Sequence, residues 1–350
     1  DEEQEHIISR LDPELKYQVK SSLNYPDDSA GRIMSRDFVS IPDNWTVREA
    51  KQYLLTNEEL PDDFYTIFLV DEKTLKPTGE IALDKLLRAK GDEKLNSIMD
   101  GEIVPVDVYT DQEEVAHMFR EYGWMSAMVV DNKGRLIGVI NIDDVVEIVH
   151  EETNEDMMLL TGAESNDVYR SVFSIFKSRS IWLVTNLFAT IVAASVVGEF
   201  QDIIAQLSIL AVLMPIVASM GGTTGQQTLA VVVRSLATKE LNSRNALRMI
   251  GKEFMVGLCN GLLFAVMIGI AVRIWFPGQE MISYIIALAM LCNLTVASLA
   301  GILIPLTINR LKIDPAIASG VFLIACTDSG GYFIFLGLAK LLLFNNLCTV

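Results

Sequence analysis

One carboxylate of this chain lies far from any charged loop. Asp328 sits about 14 residues into the apolar run Ile313–Leu343. At ~1.5 Å per residue in a helix, that is some 21 Å from the start of the run. The hydrocarbon core of a bilayer is roughly 30 Å thick, so this is bilayer depth. A carboxylate there costs on the order of 2.5–3.5 kcal/mol unless it faces water, a cation or a partner. Its neighbours Thr327, Ser329, Gly330 and Gly331 are small or polar. They suit a cation site in a close-packed, irregular stretch of backbone. A hydrogen bond to a neighbouring helix is the alternative.

A second candidate interrupts the run Ile203–Val233. Pro215 and the pair Gly221-Gly222 can open a helix there and free carbonyls. Thr223, Thr224, Gln226 and Gln227 add side-chain oxygens. A kink or a plain helix end would account for the same residues. Breaks in two apolar runs together predict a binding path with non-helical backbone. A third candidate is acidic. Asp144, Glu147, Glu151 and Glu155 recur every three or four residues, so they share one helix face. Like charges at that spacing destabilise a helix. A divalent ion or a basic partner would relieve them; a solvated face is the alternative.

The elements that position these groups follow from charge and hydropathy. Residues 1–176 carry 38 Asp/Glu against 17 Lys/Arg, a net of −21, and residues 177–350 carry 7 against 11, a net of +4. Together they give the chain's −17. The first part reads as an acidic soluble module that repels nucleic acid. The second reads as five membrane spans: Ile181–Gly198, Ile203–Val233, Phe254–Val272, Met281–Asn309 and Ile313–Leu343. Lys177 and Arg179 precede span 1, five bases from Arg234 to Lys252 follow span 2, and Arg310 and Lys312 follow span 4. The loops after spans 1 and 3 are short and nearly free of bases. The positive-inside rule then places the N-terminal module in the cytoplasm and the C-terminus outside. Among the remaining acids of this part, Glu253 and Asp314 are read as lying at helix ends. No Cys-x-x-Cys spacing occurs among the four cysteines, which argues against a zinc site.

The acidic part repeats itself after about 60 residues. Arg32-Ile33-Met34 recurs as Ser97-Ile98-Met99, and Phe68-Leu69-Val70-Asp71 as Met128-Val129-Val130-Asp131. Gly79 to Leu87 recurs as Gly138 to Val146. Each copy predicts a short strand, a helix (Val47–Leu55, Gln112–Tyr122), two apolar strands around a turn, and a closing helix. Two such copies bury a joint core. The pattern resembles a tandem pair of CBS domains, modules that often sense an adenosine nucleotide.

With both parts in view, the chain resembles the MgtE family of magnesium transporters and channels. The resemblance rests on Tyr25-Pro26-Asp27-Asp28-Ser29-Ala30-Gly31, on Pro215 with Gly221-Gly222-Thr223-Thr224-Gly225-Gln226-Gln227, and on Arg234-Ser235-Leu236-Ala237-Thr238. It rests further on Asp314-Pro315-Ala316 and Thr327-Asp328-Ser329-Gly330-Gly331. It implies a multidomain fold: an α/β tandem CBS pair followed by an all-α five-helix transmembrane domain. It implies residues 1–30 as the tail of a mostly absent N-terminal helical domain, 31–150 as the CBS pair, 151–177 as a connecting helix that gates, and 178–350 as the pore domain. It implies a homodimer in the lipid bilayer of the inner membrane with a pore on the two-fold axis, where each copy gives Asp328. Thr327, Thr223 and Thr224 line the same path. Gln226 and Gly320 stand where the family has asparagines. The implied regulatory Mg2+ ligands are Glu113, Asp144, Glu147, Glu152, Glu155 and Asp156, and one further family carboxylate falls on Gly123. Mg2+ is the expected ion, with Mn2+ or Co2+ as other divalents and ATP as a ligand of the CBS pair.

Three other classes of protein fit the sequence less well. A CBS-regulated transporter of an anion or osmolyte conflicts with a lone deep acid and no deep Arg or Lys. A membrane sensor that transports nothing leaves both breaks unexplained. An enzyme has no nucleophile–base pair to use, and His6, His117 and His150 all lie in the soluble part.

Overall fold

The computed structural model describes residues 8–61, 63–100, 103–163, 170–241 and 244–344. It separates into two compact units, Asp1–Thr153 and Asn154–Val350.

The first unit holds the helices α1 (Pro13–Ser22), α2 (Ala30–Ile33), α3 (Val47–Thr56), α4 (Leu83–Arg88), α5 (Leu95–Ile98) and α6 (Gln112–Tyr122), and the start of α7 (Ile142–Leu159). Its strands are β1 (Ser40–Pro42), β2 (Thr66–Val70), β3 (Pro77–Ala82), β4 (Val106–Asp107), β5 (Ser126–Val130) and β6 (Leu136–Asn141). They form two three-stranded sheets, β1-β2-β3 and β4-β5-β6. In each, the first pair is parallel and the second antiparallel. The register slips at the same point of both hairpins, Leu69/Val70 and Val129/Val130. The predicted repeat is therefore present strand for strand, and the CBS pair is the observed fold. Local chemistry sets the helix starts. Thr46 and Glu49 form a reciprocal capping box at α3, and Asp111 caps α6 through the Glu113 N–H. Each copy has its own core, around Ile67 and Leu69 in one and Val129 and Ile140 in the other. Phe68, Met128 and Val139 pack together between them.

The second unit holds α8 (Val172–Gly198), α9 (Gln201–Gln206), α10 (Ile209–Ala237), α11 (Ala246–Trp275), α12 (Glu280–Arg310) and α13 (Pro315–Ala339), with a π-helical turn at Lys340–Phe344. Among the described residues five helices, α8 and α10–α13, are long and apolar enough to cross a membrane. The most enclosed is α12, 61% buried over its apolar window, and it packs against α10, α11 and α13. Small residues allow this close approach. A Cβ on Gly301 of α12 would lie 2.7 Å from the Gly225 carbonyl oxygen of α10. One on Gly261 of α11 would lie 2.9 Å from the Leu291 carbonyl oxygen of α12. With lipid outside, such packing replaces the hydrophobic drive of a water-soluble core.

Three expectations are corrected. The predicted break in span 2 is absent: α10 is continuous through Gly221–Gln227, and α13 is equally continuous through Asp328. An open backbone in lipid would leave polar groups unsatisfied at several kcal/mol each, and a helix avoids that. Residues 151–177 do not form one helix. The α7 helix ends at Leu159, Gly162 turns the chain with φ 71°, and α8 begins at Val172. Leu159 and Leu160 pack in a cluster with Leu229, Val233, Ala300, Ala316 and Leu323. Finally, Glu253 is not at a helix end but two turns inside α11.

Candidate functional site

The α13 helix starts from Asp314, whose Oδ1 accepts the Ala316 N–H at 2.8 Å, with Pro315 at the first helical position. Asp328 is the fourteenth residue of this helix and partly buried. Its carboxylate forms no hydrogen bond or ion pair among the described residues. Thr327 beside it is buried, and its hydroxyl donates to the Leu323 and Ile324 carbonyls at 3.0 and 3.2 Å. That hydroxyl is turned into its own helix. Gly320, two turns earlier, is partly buried, and a Cβ there would lie 3.3 Å from the Leu160 carbonyl oxygen.

On α10 the buried face is Gly221, Gly225, Thr228, Leu229 and Val232. The opposite face is exposed in the single chain and runs Pro215, Ser219, Thr223, Gln226 and Gln227. Thr224 is partly buried between the two. The hydroxyls of Thr223 and Thr224 donate to the carbonyls of Ser219 and Met220. The two amides, Gln226 and Gln227, thus stand on a polar stripe along a membrane helix. Polar residues inside a membrane face a bundle interior or a water-filled cavity.

The two polar segments meet through a residue that the sequence reading passed over. Asn293 of α12 is 1% exposed, and its Nδ2 donates to the Val217 carbonyl of α10 at 2.7 Å. A Cβ on Gly221 would lie 2.5 Å from that amide nitrogen, and one on Gly331 would lie 3.2 Å from the amide oxygen. The glycines flanking the span-2 and span-5 motifs are therefore seats for one buried amide. They are packing devices, not hinges. An uncharged Asn within the run Met281–Asn309 was the available signal. Glu253 was also underestimated: it accepts the hydroxyl of buried Thr228 at 3.0 Å, tying α11 to α10 just beyond Gln226.

The acidic residues are more dispersed. Glu113, Glu147 and Glu155 are exposed, Asp144 and Glu152 partly buried. The side chain of Asp156 lies outside the described residues. Among the described residues no three His, Cys, Asp or Glu side chains come together as a metal site within one chain. Asp144 caps its own helix, accepting the Asn141 N–H at 3.2 Å. Burial pushes its pKa up, the Asn141 N–H opposes this, and the Asp143 and Glu147 charges add to the rise. Glu152 accepts a hydrogen bond from the Gln112 amide. Gly123 takes the left-handed conformation, φ 68°, that ends α6.

A CBS pair and five apolar helices, one of them carrying a carboxylate at mid-helix, define a multi-pass membrane protein with CBS domains. A family profile described as a divalent cation transporter, MgtE, matches residues 214–338, and CBS-domain profiles match residues 30–92 and 95–151. The magnesium transporter MgtE of Enterococcus faecalis is 33% identical over 324 residues, covering 93% of this chain and 71% of the relative. That of Bacillus subtilis is 30% identical over 333 residues, covering 95% and 73%. The chain belongs to the MgtE family of magnesium transporters. A crystal structure of the cytosolic domain of the Mg2+ channel MgtE with ATP matches 41% of this chain and 58% of its own, at 32% identity and a TM-score of 0.39.

Proposed function

We propose that the chain conducts Mg2+ into the cell as a two-fold dimer, through a path formed by α10 and α13 with Asp328 of each copy as its ion site. One observation carries this: a partly buried carboxylate at mid-helix depth, with no hydrogen-bonding or charged partner among the described residues. Such a group in a membrane needs water or a cation. Mg2+ dehydrates reluctantly and suits one or two carboxylates with several retained waters. Two copies of Asp328 supply that without a closed cage. The exposed stripe of Ser219, Thr223, Gln226 and Gln227 supports a wet path beside it. Thr327 and Gly320 then serve in packing, since the Thr327 hydroxyl is spent on its own helix. Other divalent cations of similar size would compete for the same oxygens.

In this reading the CBS pair is cytoplasmic and the C-terminus external, with bases clustered after α10 and α12. Cytoplasmic Mg2+ binds Glu113, Asp144, Glu147, Glu152, Glu155 and Asp156 and favours the closed state. The dispersion of these carboxylates in one chain supports a site completed only when the acidic surfaces approach. The ion shifts the gate by as much as it binds the closed form more tightly. Mg2+ flux into liposomes tests the path. Asp328→Ala is expected to lower the flux by at least tenfold while leaving the protein folded and inserted. Flux at the wild-type rate would remove Asp328 from the path.

A further inference from the structure

One turn beyond Asp328, α13 carries the phenol of Tyr332. Its ring is partly buried and packs on the apolar cluster that includes Val217 and Phe335. Residues four apart share one face of a helix. Helical side chains also lean toward the N-terminus, so the ring of Tyr332 covers the turn that carries Asp328. The Asp328 carboxylate is near enough to act electrostatically on the phenol. Yet no hydrogen bond joins the two, and the Tyr332 hydroxyl has no other hydrogen-bond partner among the described residues. Nor is that hydroxyl sealed in the packing. Among the described residues, the enclosed side-chain oxygens without a partner are those of Asn186, Ser298, Ser319 and Ser329. A tyrosine hydroxyl inside a protein ordinarily finds a partner.

We propose that Tyr332 is a further residue of the ion path: its hydroxyl accepts a hydrogen bond from water that Mg2+ retains, while Asp328 supplies the charge. This rests on the reading above that Asp328 is the ion site. Mg2+ gives up its water reluctantly. The bound waters are donors that need acceptors, and a phenol oxygen accepts without adding charge. Ca2+ takes about six to eight oxygens directly and in flexible geometry, so it gains less from an acceptor one water away. Tyr332 therefore favours the ion that keeps its shell. In the orientation proposed above, an entering ion meets Tyr332 before Asp328.

Tyr332→Phe removes the one oxygen and keeps the ring on its cluster. The test is uptake into liposomes over a range of MgCl2, with Ca2+ as competitor and thermal unfolding in detergent measured alongside. The variant is expected to raise the half-saturating Mg2+ concentration about fivefold, the worth of one net hydrogen bond, and to keep the maximal flux. The inhibition constant of Ca2+ is expected to stay unchanged. The melting temperature is expected to hold, because no bond within the chain is lost. Half-saturation equal to wild type overturns the proposal and leaves Tyr332 a packing residue. Equal weakening of Mg2+ and Ca2+ overturns it as well. A shift that comes with a lower melting temperature also overturns it, and places the hydroxyl in the fold instead of on the ion. Wild-type flux from Asp328→Ala overturns the ion-site reading itself, which is a separate failure.

Discussion

At the residue scale, each carboxylate has its role set by its surroundings. Asp131 accepts the Arg135 backbone and guanidinium, and its pKa falls to about 2. Asp144 goes the other way, because burial outweighs the single N–H it accepts. A carboxyl whose pKa is raised on folding holds its proton more tightly in the folded state. Its ionised form therefore costs stability, a cost that is absent below 3.8, the ordinary value, and grows as pH rises through the raised value. Asp144→Asn keeps an oxygen for the Asn141 N–H and drops the charge. In chelator at pH 7 the variant is expected to melt above the wild type, and the difference should vanish as the pH falls toward 3.8. A variant that melts below the wild type at pH 7 would show the cap, not burial, to dominate. Asp328 and the spacing of the acidic residues were legible in the sequence because charge in an apolar run is conspicuous. Asn293 was not. Its meaning depends on Gly221 and Gly331, tens of residues away on two other helices.

At the element scale, the spans were legible as charge-free runs, while their ends and continuity were not. The α8 helix begins at Val172 and carries Lys177 and Arg179 within it. Long basic side chains reach the interface from inside a helix, so a charge need not end one. Pro215 and the glycines of α10 read as breakers, yet the helix passes through all of them. A proline forfeits one hydrogen bond, and a glycine removes only a Cβ. The glycines answer to neighbours, and their replacements should differ accordingly. Gly301→Ala drives a Cβ toward backbone, 2.7 Å from the Gly225 oxygen, and toward Thr228 Cβ at 2.8 Å. Gly225→Ala meets only the branched tip of Leu323 at 3.0 Å. Overpacking against groups that cannot move costs about 1–3 kcal/mol. Thermal denaturation in detergent is expected to show a clear loss for Gly301→Ala and a small one for Gly225→Ala; equal losses would mean that α10 and α12 adjust freely.

At the scale of the whole molecule, the charge split near residue 177 separated an acidic from an apolar part before any element was assigned, while the two compact units divide earlier, between Thr153 and Asn154. The repeat then identified the CBS pair, because two copies of one pattern reinforce each other. The dispersion of the acidic residues was beyond the sequence, since spacing along one helix says nothing about which acids come together in the fold. For transport, an inside-negative potential contributes about 2.3 kcal/mol per charge per 100 mV, so roughly 4.6 for a divalent ion. That drives uptake by about three decades without a coupled ion. In liposomes holding a K+ diffusion potential, Mg2+ uptake is expected to rise with inside-negative voltage and to need no Na+ or proton gradient. Uptake that follows a proton gradient at zero voltage would point to a coupled transporter.

The turn at Gly162 also has an optical consequence. A Cβ at this left-handed residue would lie 2.9 Å from two carbons of the Trp182 indole, so the ring rests directly on the turn that ends the acidic helix. The chain has four tryptophans, and Trp45 and Trp124 pack among aromatics of the CBS pair while Trp275 stacks on Phe276. Trp182 is thus the one fluorophore placed against the 160–163 turn. With the other three replaced by Phe, the colour of its emission becomes a built-in gauge of whether that turn is seated or lifted.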